Sequence, residues 1–127
     1  MTNLKLKLAV ASKDGISINE HFGHAKAFYI YSVGKDQCLL LEQRQVEHYC
    51  HGNQGSKSAM AMILETIGDC HAVFIAKIGD GPADKLTAIG VNAESDYAYE
   101  AIDESLLKYA SQWLAINRLT ATATKGE

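Results

Sequence analysis

The run from Cys70 to Ala76 (CHAVFIA) is short and apolar at nearly every position. Such a run reads as a strand buried on both faces, with helices above and below it. Its neighbours supply those helices. Before it, Ser56 to Gly68 sets Ala59, Met62, Ile63 and Ile67 at three–four spacing, the apolar stripe of an amphipathic helix. Ser56 suits the cap and Gly68 the stop. After it, Lys77 to Pro82 (KIGDGP) forms a loop. Pro82 suits the first turn of a helix that runs to Ile89 and ends at Gly90. A buried strand between two helices commits the chain to a layered α/β architecture.

The preceding half is β. Asn3 to Ala11 alternates Leu4, Leu6, Leu8 and Val10 against Lys5, Lys7, Ala9 and Ala11. Period two gives a strand with one apolar face, and lysines early with alanines late predict that the second face becomes covered toward its end. Lys13-Asp14-Gly15 is a turn and Ile16-Ser17-Ile18 a short extended piece. Ala27 to Val33 (AFYIYSV) is an aromatic and β-branched strand. Gln37 to Val46 is rich in Leu, Glu, Gln and Arg, which favour helix. The tight turn Gly34-Lys35-Asp36 nevertheless predicts a hairpin partner, with Cys38 and Leu40 on one side and Leu39 and Leu41 on the other. Val91-Asn92-Ala93 is a short strand. A last helix runs from Tyr97 or Tyr99 to about Asn117, with Ile102, Leu106, Tyr109, Trp113 and Leu114 along one side. The expectation is an α/β fold, β-β-β-α-β-α-β-α, with a five-stranded mixed sheet covered on both faces. Residues 1–119 would form one domain and 120–127 a flexible tail.

Bulk properties narrow the function classes. A length of 127 residues fits one domain. A net charge of −3 sets up no field that would recruit nucleic acid or acidic membranes. No apolar run approaches the ~18 residues of a spanning helix. Lys5 and Lys7 interrupt any secretory h-region, so a cytoplasmic location is expected. Three cysteines without framework spacing argue against a disulfide scaffold.

Chemistry concentrates in two loops. His21-Phe22-Gly23-His24 follows the first strand and His48-Tyr49-Cys50-His51 the third, each with a His-x-x-His spacing. In open α/β sheets ligands gather where strands end at their carboxyl side. Strands one and three of a meander run the same way, so both loops can meet there, beside Lys77 to Gly81 after strand four. A thiolate among imidazoles in loops suggests a metal or iron–sulfur ligand surface. One helical turn would bring His21 and His24 to one side. Gly23 would permit a tight turn or close approach of a bulky ligand. Lys77 or Arg44 could supply a positive neighbour that lowers the Cys50 pKa. The helix start at Gly79-Asp80-Gly81-Pro82 could hold an anion on its amides. P-loop, nucleophile-elbow, dinucleotide and four-cysteine patterns are absent. Cys38, Cys70, Met60, Met62, Tyr97 and Tyr99 read as packing, Phe22 as a plug of its loop into the core, and His71 as a strand-end polar residue.

Taken in order, several pieces are similar to the dinitrogenase iron–molybdenum cofactor-binding family, which includes NifX-like small carriers and the C-terminal domain of NifB. They are Asn19-Glu20-His21-Phe22-Gly23-His24-Ala25, Phe28-Tyr29-Ile30-Tyr31, Tyr49-Cys50-His51-Gly52, Asp69-Cys70-His71-Ala72-Val73 and Ile78-Gly79-Asp80-Gly81-Pro82. The resemblance spans roughly residues 5 to 110. It implies a ribonuclease-H-like α/β/α fold. It also implies a carrier or chaperone of nitrogen fixation that binds an iron–sulfur precursor of the nitrogenase cofactor, or the cofactor itself. His21, His24, Cys50 and His51 become candidate metal ligands, with Gly23 in the cofactor-binding set. The implied partners are nitrogenase cofactor assembly proteins, with apo-nitrogenase as a further candidate. No radical-enzyme domain with its cysteine triad stands in the sequence, so a carrier without turnover is expected. Two alternatives remain open. One is a zinc or iron site of structural or hydrolytic kind, with Glu20 or Glu47 as base. The other is a metal-free interaction or regulatory domain.

Overall fold

The computed structural model of this chain describes residues 5–34, 37–46 and 56–120. The chain forms strands β1 (Leu6–Val10), β2 (Ala27–Val33) and β3 (Cys38–Gln45), then helix α1 (Ser56–Ile67). Strand β4 (Ala72–Phe74), helix α2 (Asp80–Ala88), strand β5 (Asn92–Glu94) and helix α3 (Ile102–Thr120) follow. The five strands form one mixed sheet in the order β3-β2-β1-β4-β5. Strand β2 is antiparallel to both β1 and β3, while β1 with β4 and β4 with β5 pair parallel.

The alternation in β1 sorts two cores. Leu6, Leu8 and Val10 are buried with Tyr31, Val33 and Phe74 beneath Ile102, Leu106 and Ala110 of α3. Ala9 and Ala11 face the other way, into a cluster that joins Phe28, Ile30, Val73 and Ile75 to Ile63 and Ile67 of α1 and Leu86 of α2. The expected covering of the second face toward the strand's end is thus present. Helices lie on both faces, α1 and α2 on one and α3 on the other.

Several boundaries differ from the sequence expectation. Strand β4 pairs over three residues rather than seven, because β1 offers it only Leu8, Ala9 and Val10. Cys70 N–H closes back on Ile67 C=O at 3.0 Å instead. Helix α2 starts at Asp80, two residues before Pro82. Proline is tolerated there because a first-turn N–H has no intrahelical partner. Helix α3 starts at Ile102 rather than Tyr97 or Tyr99. Tyr99 sits at φ +66, outside the helical region, and its side chain is exposed rather than packed. The turn before α3 is pinned against Ile16 to Ile18: Tyr99 N–H donates to Ile18 C=O at 2.8 Å and Ile102 N–H to Ile16 C=O at 2.9 Å. Met62, expected in the α1 stripe, is exposed, because burial centres on Ile63 and Ile67, one helical turn apart. Residues 121–127 and the side chain of Met60 lie outside the described residues.

Strand β3 is extended despite its helix-favouring composition. Its register slips once: Ile30 pairs with Glu42 but Tyr31 with Leu40, leaving Leu41 as the extra residue of a bulge. Arg44 reaches across to the end of α1. Its Nη1 donates to Thr66 C=O at 2.7 Å and to Asp69 Oδ1 at 2.8 Å, and its Nη2 lies 2.8 Å from Glu42. Lys7 Nζ of β1 meets the same Asp69 carboxylate at 2.9 Å.

The Arg44 guanidinium, helped by Lys7, holds the Asp69 carboxyl well below its ordinary value of 3.8. A depressed acid stabilises the fold above its unfolded pKa, and that contribution fades as pH falls through the folded value. Asp69 is about half exposed, so Asp69→Asn is expected to cost only about 1 kcal/mol near pH 7. Urea midpoints of parent and variant should differ near neutrality and converge in strong acid. Equal midpoints at neutral pH would leave the cluster without energetic weight.

Candidate functional site

Strand β1 delivers the chain into a loop that bonds to itself. Asp14 Oδ1 accepts from Ile16 N–H at 2.9 Å and Ser17 N–H at 3.2 Å, and Asn19 Oδ1 accepts from Lys13 N–H at 2.8 Å. Gly15 takes φ +75, the left-handed conformation that this reversal requires. The Ile16 and Ser17 amides also hold the Asp14 carboxyl below its ordinary range.

The loop returns the chain to the sheet beside β4. Ala76 N–H donates to Glu20 C=O and Phe22 N–H to Lys77 C=O, both at 2.9 Å. His21 and Lys77 form a parallel bridge. Phe22–His24 then closes a 3₁₀ turn, with His24 N–H donating to His21 C=O at 3.0 Å. The expected helical turn therefore exists, and it brings the two histidines together. Their rings stack with centroids 5.7 Å apart and planes 20° from parallel. Between them Phe22 points inward, only 1% exposed, against Phe28 at 6.2 Å. It is the plug that the sequence suggested. Gly23 is not among the described glycines with left-handed φ, so the turn does not need a glycine for its backbone conformation.

The end of β3 arrives at the same place. Val46 N–H donates to Lys26 C=O at 2.9 Å, two residues after His24. The segment that follows, 47–55, carries Glu47, His48, Cys50 and His51 and lies outside the described residues. Among the described residues no three His, Cys, Asp or Glu side chains are grouped to hold a metal ion.

The other candidates sort themselves by environment. Burial pushes the Cys70 thiol up to about 12 and the Cys38 thiol up to about 11, so both are protonated packing groups. His71 stands at the opposite end of β4, where its Nδ1 accepts from Lys7 N–H at 3.3 Å and its ring meets Trp113 edge-on at 5.8 Å. Arg44 is committed to Asp69 and Glu42, whereas Lys77 and Lys26 are exposed cations beside the histidine turn. Helix α2 starts from Gly79 with no side-chain cap, and a Cβ at Gly81 would meet nothing within 4 Å.

Two features were not visible in the sequence. One is the bridge between the histidine turn and Lys77, since isolated bridges carry no periodicity. The other is Glu94, at the end of β5, whose carboxyl is half-buried and raised by burial and by Asp96. Its place at the sheet's carboxyl end could have been inferred only from strand order.

Residues 4–112 match the family described as dinitrogenase iron-molybdenum cofactor. The chain belongs to that family. Among its relatives is the FeMo cofactor biosynthesis protein NifB of Herbaspirillum seropedicae, 39% identical over 113 residues, covering 89% of this chain and 22% of that one. The NifB of Azotobacter vinelandii is 34% identical over 115 residues, covering 88% of this chain and 23% of that one. The chain thus spans under a quarter of the length of these curated relatives. A crystal structure of a candidate dinitrogenase from Methanocaldococcus jannaschii shares the fold, with TM-score 0.55 at 14% identity over 88% of this chain and 92% of that one. No described helix is long and apolar enough to cross a membrane.

Proposed function

We propose that this chain acts in nitrogenase cofactor biosynthesis, binding an iron–sulfur precursor of the iron–molybdenum cofactor, or the cofactor itself, and passing it on. It does so as a carrier without turnover, in the cytoplasm. Its partners are cofactor assembly proteins and, at the last step, apo-nitrogenase. The observation that carries this reading is the stacked His21–His24 pair at the carboxyl end of the parallel strands. Family membership and the named role of the NifB relatives support it. The strand order β3-β2-β1-β4-β5, with β2 reversed, supports the ribonuclease-H-like assignment for a domain over residues 1–119.

The chemistry suits a hand-over. Neutral imidazoles are exchangeable ligands, unlike a closed set of four thiolates. A preformed cluster brings its own sulfides, so the protein need supply only a few bonds. Cys50 and His51 add a thiolate and an imidazole to this set, and Gly23 leaves room for a bulky cargo against the turn.

The test is anaerobic cargo uptake. Apo-protein is mixed with the isolated iron–sulfur precursor and desalted, then iron and visible absorbance are read in the protein fraction. Parent protein is expected to carry iron, and the His21→Ala/His24→Ala variant to bind at least ~10-fold more weakly, the loss of more than one metal-ligand bond. The Cys50→Ala/His51→Ala variant is expected to lose cargo likewise. A folded parent that carries no iron would instead identify a metal-free interaction domain.

A further inference from the structure

We infer that Lys77 selects the charge of the cargo, favouring a polyanionic metal sulfide over a simple metal cation at the histidine turn. This rests on the carrier reading above. The observation is the parallel bridge between His21 and Lys77, sealed by Phe22 N–H donating to Lys77 C=O at 2.9 Å. Paired residues on neighbouring strands lie ~4.8 Å apart and turn their side chains to the same side of the ladder. The bridge therefore sets the Lys77 backbone directly alongside that of His21. Lys77 is exposed, and among the described residues it pairs with no carboxylate, whereas Lys7 and Arg44 are both tied to Asp69.

Charge balance shows why such a residue matters. The whole chain carries −3, so an anionic cargo approaches against a mildly repulsive background. Two acids stand close in sequence, Glu20 before the turn and Asp80 three residues after Lys77. Asp80 occupies the first turn of α2, where it complements the positive end of the helix. Lys77 is then, with the exposed Lys26 that follows the turn, a cation that an incoming cluster meets next to its imidazole ligands. The same ammonium repels a bare divalent cation, so one residue biases the site in both directions.

The experiment uses two probes on the full chain, a synthetic tetranuclear iron–sulfur dianion and Co²⁺. Lys77→Ala is expected to weaken dianion binding about three- to five-fold at low salt, as befits an exposed charge pair, and to flatten the salt dependence. Lys77→Arg should restore both, and Co²⁺ should bind Lys77→Ala no more weakly than the parent. Lys85→Ala makes the same change in net charge at the far end of α2 and should bind the dianion as the parent does. If Lys77→Ala matches the parent at all salt concentrations while His21→Ala/His24→Ala loses the dianion, the charge-selection role is wrong and the carrier site stands. If Lys85→Ala weakens binding as much as Lys77→Ala, net charge rather than placement is responsible, and the inference falls. If neither the lysine nor the histidine variants change dianion binding, both readings fail together.

Discussion

Phe22→Ala should unfold the protein at markedly lower urea, with a loss of about 3–5 kcal/mol. Phe22 is 1% exposed and fully packed in the core beneath α1 and α2. Truncation removes its apolar transfer energy and leaves a cavity that a close-packed interior fills only in part. Against a total stability of roughly 5–15 kcal/mol, that is a large share. The effect on function should exceed the effect on folding. Phe22 stands between His21 and His24, so its ring is what fixes the turn to the body of the domain. The backbone bonds to Ala76 and Lys77 would remain, but the histidines would no longer be held at one separation. Cargo uptake should therefore fall at temperatures where circular dichroism shows the variant still folded. Phe22→Leu keeps an apolar plug and should recover most of both properties. A Phe22→Ala protein with the parent's urea midpoint would show that the turn is not anchored through this ring.

Phe74→Ala should cost as much stability, again about 3–5 kcal/mol, yet leave cargo uptake nearly intact. Phe74 belongs to the other core, where its ring meets Tyr109 edge-on at 5.1 Å and Tyr97 at 5.6 Å. Such aromatic pairs add about 0.5–1.5 kcal/mol each beyond burial. None of these rings touches the histidine turn, which hangs from the opposite face of the sheet. Measured below its melting range, the variant should bind the cluster like the parent. The two phenylalanines thus separate general destabilisation from loss of the site. If both variants lose cargo in proportion to their lost stability, the turn has no local anchor and the site simply follows global folding.

Much of this architecture is written in local patterns. The alternation of β1 told which residues face which core, and the alanines at its end fill the narrow space under α1 as expected. The turn at Gly34 correctly outweighed the helix propensities of Leu39 to Gln45, because an available neighbouring edge decides strand pairing more than intrinsic preference does. The misreadings have a common physical source. Tyr97 and Tyr99 fit a helical pattern, but the segment is captured by Ile16 to Ile18, a pairing across most of the chain that no local window can contain. The same holds at the site. The spacing of His21 and His24 foretold their proximity, since one turn of helix suffices for it. Their docking against Lys77 depends on strand order, and strand order is a property of the assembled sheet.

That docking has a consequence for the order in which the molecule comes together. Strands β1, β2 and β3 are neighbours in sequence and can pair early, whereas β4 and β5 join only after crossovers through α1 and α2. Closing long loops delays such distant pairings relative to hairpins. The histidine turn precedes β2 in the chain, yet its hydrogen bonds to the sheet come from Ala76 and Lys77. It is therefore synthesised early and completed late. A nascent chain halted before Lys77 already holds all four candidate ligands and still lacks the strand against which the histidine turn docks.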